Sequence, residues 1–172
     1  MDERRPARAS RVALALRSTV YVLLVVGLSN LLLVEAIDRD VLGHVRSGIA
    51  SLAAAVLSLV RDDVRAAGQS VFVGGSAVEI VNGCTGVDVA IFLASAVLVY
   101  PAAWRAKLRG VALAFAVVLA TNFVRVLTLC WLNASSPHAF ELVHVYVWPA
   151  FISLVCLATL LAWIRSATPR DA

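Results

Sequence analysis

The chain has 172 residues, a net charge of +4 and a hydrophobic fraction of 61%, with 15% charged residues and a mean hydropathy of +0.88. Soluble domains are less apolar and more highly charged, so this composition excludes an ordinary soluble domain. It predicts an all-α integral membrane protein, folded as a single domain over residues 1–172. The positive charge lies in short stretches beside apolar segments, which indicates membrane lipid as a partner and argues against nucleic acid.

Four apolar segments are candidates to span a bilayer, which takes about 20 residues. In chain order they are 19–34, 89–104, 111–132 and 145–164. The first is long and lacks a small-residue cleavage site after it, so we expect it to be a span and not a signal peptide. The second is short unless Gly86 and Val87 join it.

A fifth apolar stretch, 47–60, has only fourteen uncharged residues. Its larger apolar residues recur at spacings of three and four: Val45, Ile49, Leu52, Val56, Leu59 and Val60. This periodicity predicts an amphipathic helix that lies along the membrane or against the bundle.

Basic residues orient the predicted spans. They precede the first span, join the second to the third, and follow the fourth. The positive-inside rule therefore places all three stretches and both termini in the cytoplasm. We expect a multi-pass protein of the cell membrane, with the stretches 35–84 and 133–142 outside.

A small outer β-hairpin is predicted just before the second span. Two short β-type runs flank Gly74 and Gly75, and paired glycines between such runs are a hairpin signal. The hairpin leads directly to Cys84, which lies between Gly83 and Gly86. The glycines permit a tight turn, and the start of a helix favours a thiolate.

Two further polar residues are expected at the depth of Cys84. Arg125 lies inside the third span, about 10 Å below its outer end. An arginine within a span is by default a candidate for function. Asn122 shares its helix face, and His144 opens the fourth span at the outer edge.

Together these side chains suit acyl transfer. A thiolate attacks an acyl carbon, an imidazole moves a proton to the leaving amine, and a cation stabilises the oxyanion. Each of these residues can also have a structural role without catalysis. The cysteine can be a small packing residue, the histidine an interfacial polar residue, and the arginine a partner of Asp88 or Glu141. Asp88 can also orient Cys84 if the helix starts early enough for the two to share a face.

The remaining cysteines and histidines are weaker candidates. Cys156 and Cys130 are expected to be packing residues, although Cys130 can approach Cys84. His138 and His44 have no second ligand at a metal-binding spacing. The sequence therefore implies no metal and no organic cofactor.

Three stretches resemble the exosortase/archaeosortase family. They are "NGCTGVD", "NFVRV" and "AFELVHVYVW", within about residues 70–165, the expected catalytic core. The resemblance implies a membrane cysteine peptidase or transpeptidase with Cys84 as nucleophile, together with Arg125 and His144. It implies substrates with C-terminal sorting signals of the PEP-CTERM kind, which consist of a short motif, a membrane helix and a basic tail. An unidentified nucleophile would accept the cleaved protein.

Many exosortases have about twice as many spans, so this chain resembles compact members of the exosortase H type. Two rival functions remain open at this point. One is a haem-bearing membrane anchor that uses two of the three histidines, and the other is a non-enzymatic assembly partner.

Overall fold

Six α-helices and a three-stranded antiparallel sheet make up the described part of the chain. The structure is a computed structural model that describes residues 4–32 and 38–168, with side chains for 13–31, 38 and 40–168. The helices are α1 (Arg4–Leu32), α2 (Gly43–Leu57), α3 (Val87–Val99), α4 (Trp104–Ser135), α5 (Pro137–Leu142) and α6 (Trp148–Ala167). The strands are β1 (Val64–Ala67), β2 (Ser70–Val73) and β3 (Ser76–Glu79). One π-helical turn, Asp38–Leu42, precedes α2, and another, Val143–Val147, joins α5 to α6.

Four helical segments of the described residues are long and apolar enough to cross a membrane: Ala13–Leu31, Asp40–Leu57, Trp104–Ser135 and Pro137–Ala167. This confirms the predicted class, an all-α membrane protein with about four spans and a small β-structure. The set differs in one member from the four segments chosen from the sequence. Asp40–Leu57 qualifies by length and composition, while α3 does not. That α2 lies along the membrane or against the bundle, without crossing the bilayer, stays a prediction.

Helix α3 is shorter than the sequence suggested, because Pro101 stops it. The prediction ran to Trp104, but the helix ends at Val99 and Tyr100 adopts an extended conformation. Proline disfavours the helical conformation in the residue before it. With 13 residues, α3 is about 20 Å long.

Helix α2 presents a face of small residues to the protein. Its buried residues recur at helical spacing: Ala50, Ala53, Ala54 and Leu57. Of the larger side chains on which its amphipathic pattern was predicted, Leu52 and Val56 point outward, 55% and 36% exposed, while Ile49 packs against the core. Alanine is buried here because its short side chain lets the helix lie close to the sheet and to α4.

The predicted hairpin is present and is part of a larger sheet. Strands β2 and β3 pair across Gly74 and Gly75, both of which have positive φ angles, 57° and 82°. Strand β1, which the sequence analysis missed, pairs with β2. The Arg65 guanidinium lies 4.5 Å from the centre of the Phe72 ring, directly across this pair.

Helix α4 is the central element of the fold. Its C-terminal half joins the alanine face of α2 and strand β2 in one core cluster, through Val126 and Cys130. Its N-terminal half packs on α3 through Ala114 and Val118. Leu129 contacts α6. Because α4 joins these groups, it sets the position of the polar side chains that it carries.

The basic connection between α3 and α4 lies at the opposite end of α3 from Cys84. Lys107 Nζ donates a 2.5 Å hydrogen bond to the carbonyl of Leu98, at the last turn of α3. Trp163 Nε1 donates to the carbonyl of Ala106 at 3.0 Å. Gly110 leaves the room that the Trp163 ring occupies. Charged and aromatic residues therefore gather at one end of the bundle, as at a membrane interface.

Candidate active site

Cys84 lies in a single 3₁₀ turn, Asn82–Cys84, between strand β3 and helix α3. The backbone N–H of Cys84 donates to the carbonyl of Val81 at 2.8 Å. The Thr85 hydroxyl donates to the carbonyl of Asn82 at 2.8 Å and accepts from the N–H of Val87 at 3.3 Å. These bonds make the turn compact and leave the Cys84 side chain half-buried.

Gly86 allows this turn to lie against α4. It has a φ angle of +76°, a conformation that residues with a side chain rarely adopt. A Cβ atom placed there would lie 2.9 Å from Cβ of Asn122, closer than such atoms approach. Gly86 therefore serves the tight turn, which the sequence predicted, and also the close contact with α4, which it did not.

Two side chains of α4 donate hydrogen bonds to the backbone of the cysteine turn. Asn122 Nδ2 donates to the carbonyl of Cys84, and Arg125 Nη1 donates to the carbonyl of Gly83 at 3.3 Å. They are three residues apart and share a helix face, as the sequence predicted. Asn122 is 2% exposed, so its amide is held by its surroundings as well as by this bond.

Among the residues that the structure describes, Arg125 has no carboxylate partner. Within residues 38–168 it forms no ion pair with Asp88 or Glu141, the two partners considered from the sequence. Its Nε atom is buried and has no hydrogen-bond acceptor in the described part of the chain. A guanidinium with an unused donor in an apolar bundle can bind a group that carries negative charge.

His144 comes from a different element than Cys84 and Arg125. It is in the π-helical turn before α6, and its ring packs edge-on against Phe140 at a centroid distance of 5.4 Å. The charge of Arg125 is close enough to interact with this imidazole. Among the described residues, no hydrogen bond joins the ring to the Cys84 thiol. Proton transfer between them therefore requires a side-chain movement or a bridging water.

Asp88 does not share a helix face with Cys84. Helix α3 begins only at Val87, so the condition for that expectation is not met. The Asp88 carboxylate is exposed and lines the same cleft as Arg125. It lies near the turn without a hydrogen bond to it in the described structure.

A polar cluster that the sequence analysis missed holds the other side of the turn. Arg46 Nη1 donates to Asn82 Oδ1 at 2.7 Å, and Asn82 Nδ2 donates to Asp38 Oδ1 at 2.6 Å. Arg46 also pairs with Asp38 at 3.3 Å. Donation by Asn82, and then the nearby Arg46, holds the pKa of Asp38 below its ordinary value. The signal that was available is the pair of opposite charges, Asp38 and Arg46, around the start of α2, but nothing local links this pair to residue 82.

The two other cysteines have different surroundings. Cys130 is 1% exposed in the core cluster of α2, β2 and α4, and it lies close enough to Cys84 for electrostatic interaction. Cys156 packs on α6 against the other two clusters. All three thiols are free. Among the described residues, no group of three or more His, Cys, Asp or Glu side chains is placed to hold a metal ion.

The fold defines a multi-pass membrane protein in which an arginine of α4 binds the backbone of the cysteine turn and interacts electrostatically with His144. The family model described as transmembrane exosortase (Exosortase_EpsH) matches residues 9–167. The chain belongs to this family. Comparison with curated proteins and with solved structures gives no match.

Proposed function

We propose that this protein is a membrane cysteine peptidase or transpeptidase that processes C-terminal sorting signals of exported proteins. The observation that carries the proposal is the hydrogen bond from Arg125 to the backbone of the cysteine turn. His144 is close enough to the same guanidinium for electrostatic interaction. Membership of the exosortase family supports it, because that family is linked to the processing of sorting signals.

In the proposed reaction, the Cys84 thiol first gives its proton to His144, and the resulting thiolate attacks the carbonyl carbon of the scissile peptide bond. The carbonyl oxygen becomes an oxyanion, which Arg125 stabilises. The C–N bond then breaks, His144 gives a proton to the leaving amine, and a thioester to Cys84 remains. Water or the amine of an acceptor attacks the thioester, its proton passes to His144, and the thiolate is released.

The sidedness of the site rests on charge. The basic residues around Lys107 lie at the far end of α3 from Cys84. If this basic end faces the cytoplasm, the cysteine turn faces the opposite side, where an exported substrate is found. We place the protein in the cell membrane, with its site on the extracytoplasmic side.

The test uses a reporter in the same membrane. The reporter is an exported protein that ends in a short motif, one apolar span and a basic tail, taken from the same genome. We expect Cys84→Ala and His144→Ala to accumulate full-length reporter while each variant remains in the membrane at wild-type level. Arg125→Lys should also fail, because an ammonium group cannot reproduce the planar fork of a guanidinium.

The matched controls are Cys130→Ala and Cys156→Ala, which remove the other thiols and should keep processing. Unchanged processing by Cys84→Ala would refute the proposal and favour a non-enzymatic assembly partner. A haem-bearing anchor would instead show a Soret band in the purified protein, lost in His144→Ala.

A further inference from the structure

An elongated cleft opens between α1 and α6, with α3 as its floor. Its volume is about 660 Å³. On α3 it extends from Asp88 to Ala96, which is about 12 Å along the helix axis, and on α6 from Pro149 to Leu160, which is about 16 Å. The cleft is therefore a furrow along the helices, two to three helical turns in length.

The two ends of the furrow differ in chemistry. Asp88 and Arg125 lie at one end, and the walls beyond them are mainly apolar. The Ser153 hydroxyl in the wall already donates to the carbonyl of Pro149 at 2.8 Å, so it does not need a ligand. The polar end is joined to the cysteine turn, because Arg125 donates to the carbonyl of Gly83.

This continuity decides which occupant fits. A peptide whose scissile bond lies at Cys84 continues from the polar end into the apolar part of the furrow. Within the hydrocarbon region a single peptide segment satisfies its backbone groups only as a helix. Small side chains in the floor and in one wall, such as Ala96 and Ser153, allow another helix to approach closely.

We propose that the furrow receives the membrane-spanning helix of the sorting signal, which enters sideways from the bilayer between α1 and α6. This inference rests on the proposed function and adds the place where the substrate helix binds. Arg125 then marks the boundary between the bound helix and the extended segment that is cleaved.

The first experiment fills the furrow. Ala96→Trp places a large ring in the floor, and Ala116→Trp, at an exposed position of α4 outside the furrow, is the matched control. We expect reporter processing to fall about tenfold or more in Ala96→Trp only, because overpacking displaces the helix. Alkylation of Cys84 by a small reagent, measured in variants without Cys130 and Cys156, should stay unchanged. Equal processing by both tryptophan variants would overturn the proposal.

The second experiment does not depend on catalysis or on a substitution in the floor. A photo-crosslinking amino acid replaces Leu157, which lines the furrow, or Leu154, which is 65% exposed on the same helix and lies outside it. Both variants carry Cys84→Ala, so that bound reporter is not consumed. We expect crosslinks to the reporter helix from position 157 and not from 154.

Crosslinks to lipid alone, or equal crosslinks from both positions, would overturn the helix proposal.

The proposed function and the furrow proposal fail in different ways. If wild-type protein leaves the reporter uncut but position 157 crosslinks to it, the proposed chemistry is wrong and the furrow stands. If Cys84→Ala blocks processing but position 157 never crosslinks, the chemistry stands and the furrow is wrong.

Discussion

The side-chain amide of Asn122 donates a hydrogen bond to the backbone carbonyl of Cys84, although the two residues are 38 positions apart in the chain. Asn122 is almost completely buried beneath the cysteine turn. We expect Asn122→Asp to be more damaging than Asn122→Ala, because a carboxylate would face a carbonyl oxygen with no proton between them. An unsatisfied buried polar group costs about 1–3 kcal/mol. Thermal unfolding in detergent and reporter processing measure the effect, and equal stability of Asn122→Asp and wild type would contradict it.

Gly86 and Gly83 form a matched pair of glycines on either side of the nucleophile. A side chain at Gly86 meets both a positive φ angle and Asn122, while a Cβ at Gly83 has nothing within 4 Å. We expect Gly86→Ala to destabilise the protein by about 1–2 kcal/mol or more and to stop processing, whereas Gly83→Ala should be tolerated. Unfolding and processing assays on both variants test this. The reverse order of sensitivity would show that the turn is held differently.

The cluster of Asp38, Arg46 and Asn82 is expected to position the cysteine turn. The substitution Asn82→Ala removes the central member of the cluster. In variants without Cys130 and Cys156, it should change the rate at which a small reagent alkylates Cys84. The double variant Asp38→Arg, Arg46→Asp retains both charges and should recover more of the wild-type rate than either single variant. If the double variant is no better than the worse single variant, the ion pair does not position the turn.

The same cluster should be sensitive to acid. Because the fold lowers the pKa of Asp38, it favours the ionised carboxylate. Its contribution to stability is present above the unfolded-state pKa and is lost as the pH falls through the lower folded-state pKa. We expect Asp38→Asn to flatten this acid limb of an unfolding profile, measured in detergent over the acid range. An acid limb identical to that of the wild type would mean that other carboxylates control it.

The orientation of the bundle can be tested independently of any activity. Ala106 lies at the basic start of α4, where its carbonyl accepts from Trp163. A reporter fused after Ala106 should be active only as a cytoplasmic reporter, and a reagent that cannot cross the membrane should label Cys84 from outside. A periplasmic signal from the fusion would reverse the orientation of the site.

The sequence by itself determined the features that depend on neighbours in the chain. Apolar stretches of sufficient length predicted membrane helices, since each helix satisfies its own backbone. The paired glycines at 74 and 75 predicted the hairpin, and a spacing of three placed Asn122 and Arg125 on one face. Membership of the exosortase family, expected from the motifs around Cys84, Arg125 and His144, is confirmed. The catalytic roles of these residues stay predictions.

Only the tertiary structure decided which surfaces meet. It turned the alanine face of α2 inward, added β1 to the hairpin, and joined Asp38 to Asn82 across 44 positions. It also opened the furrow between α1 and α6, whose walls come from four helices. These features depend on the packing of elements that are distant in sequence. Local periodicity contains no information about which element packs against a given face of a helix.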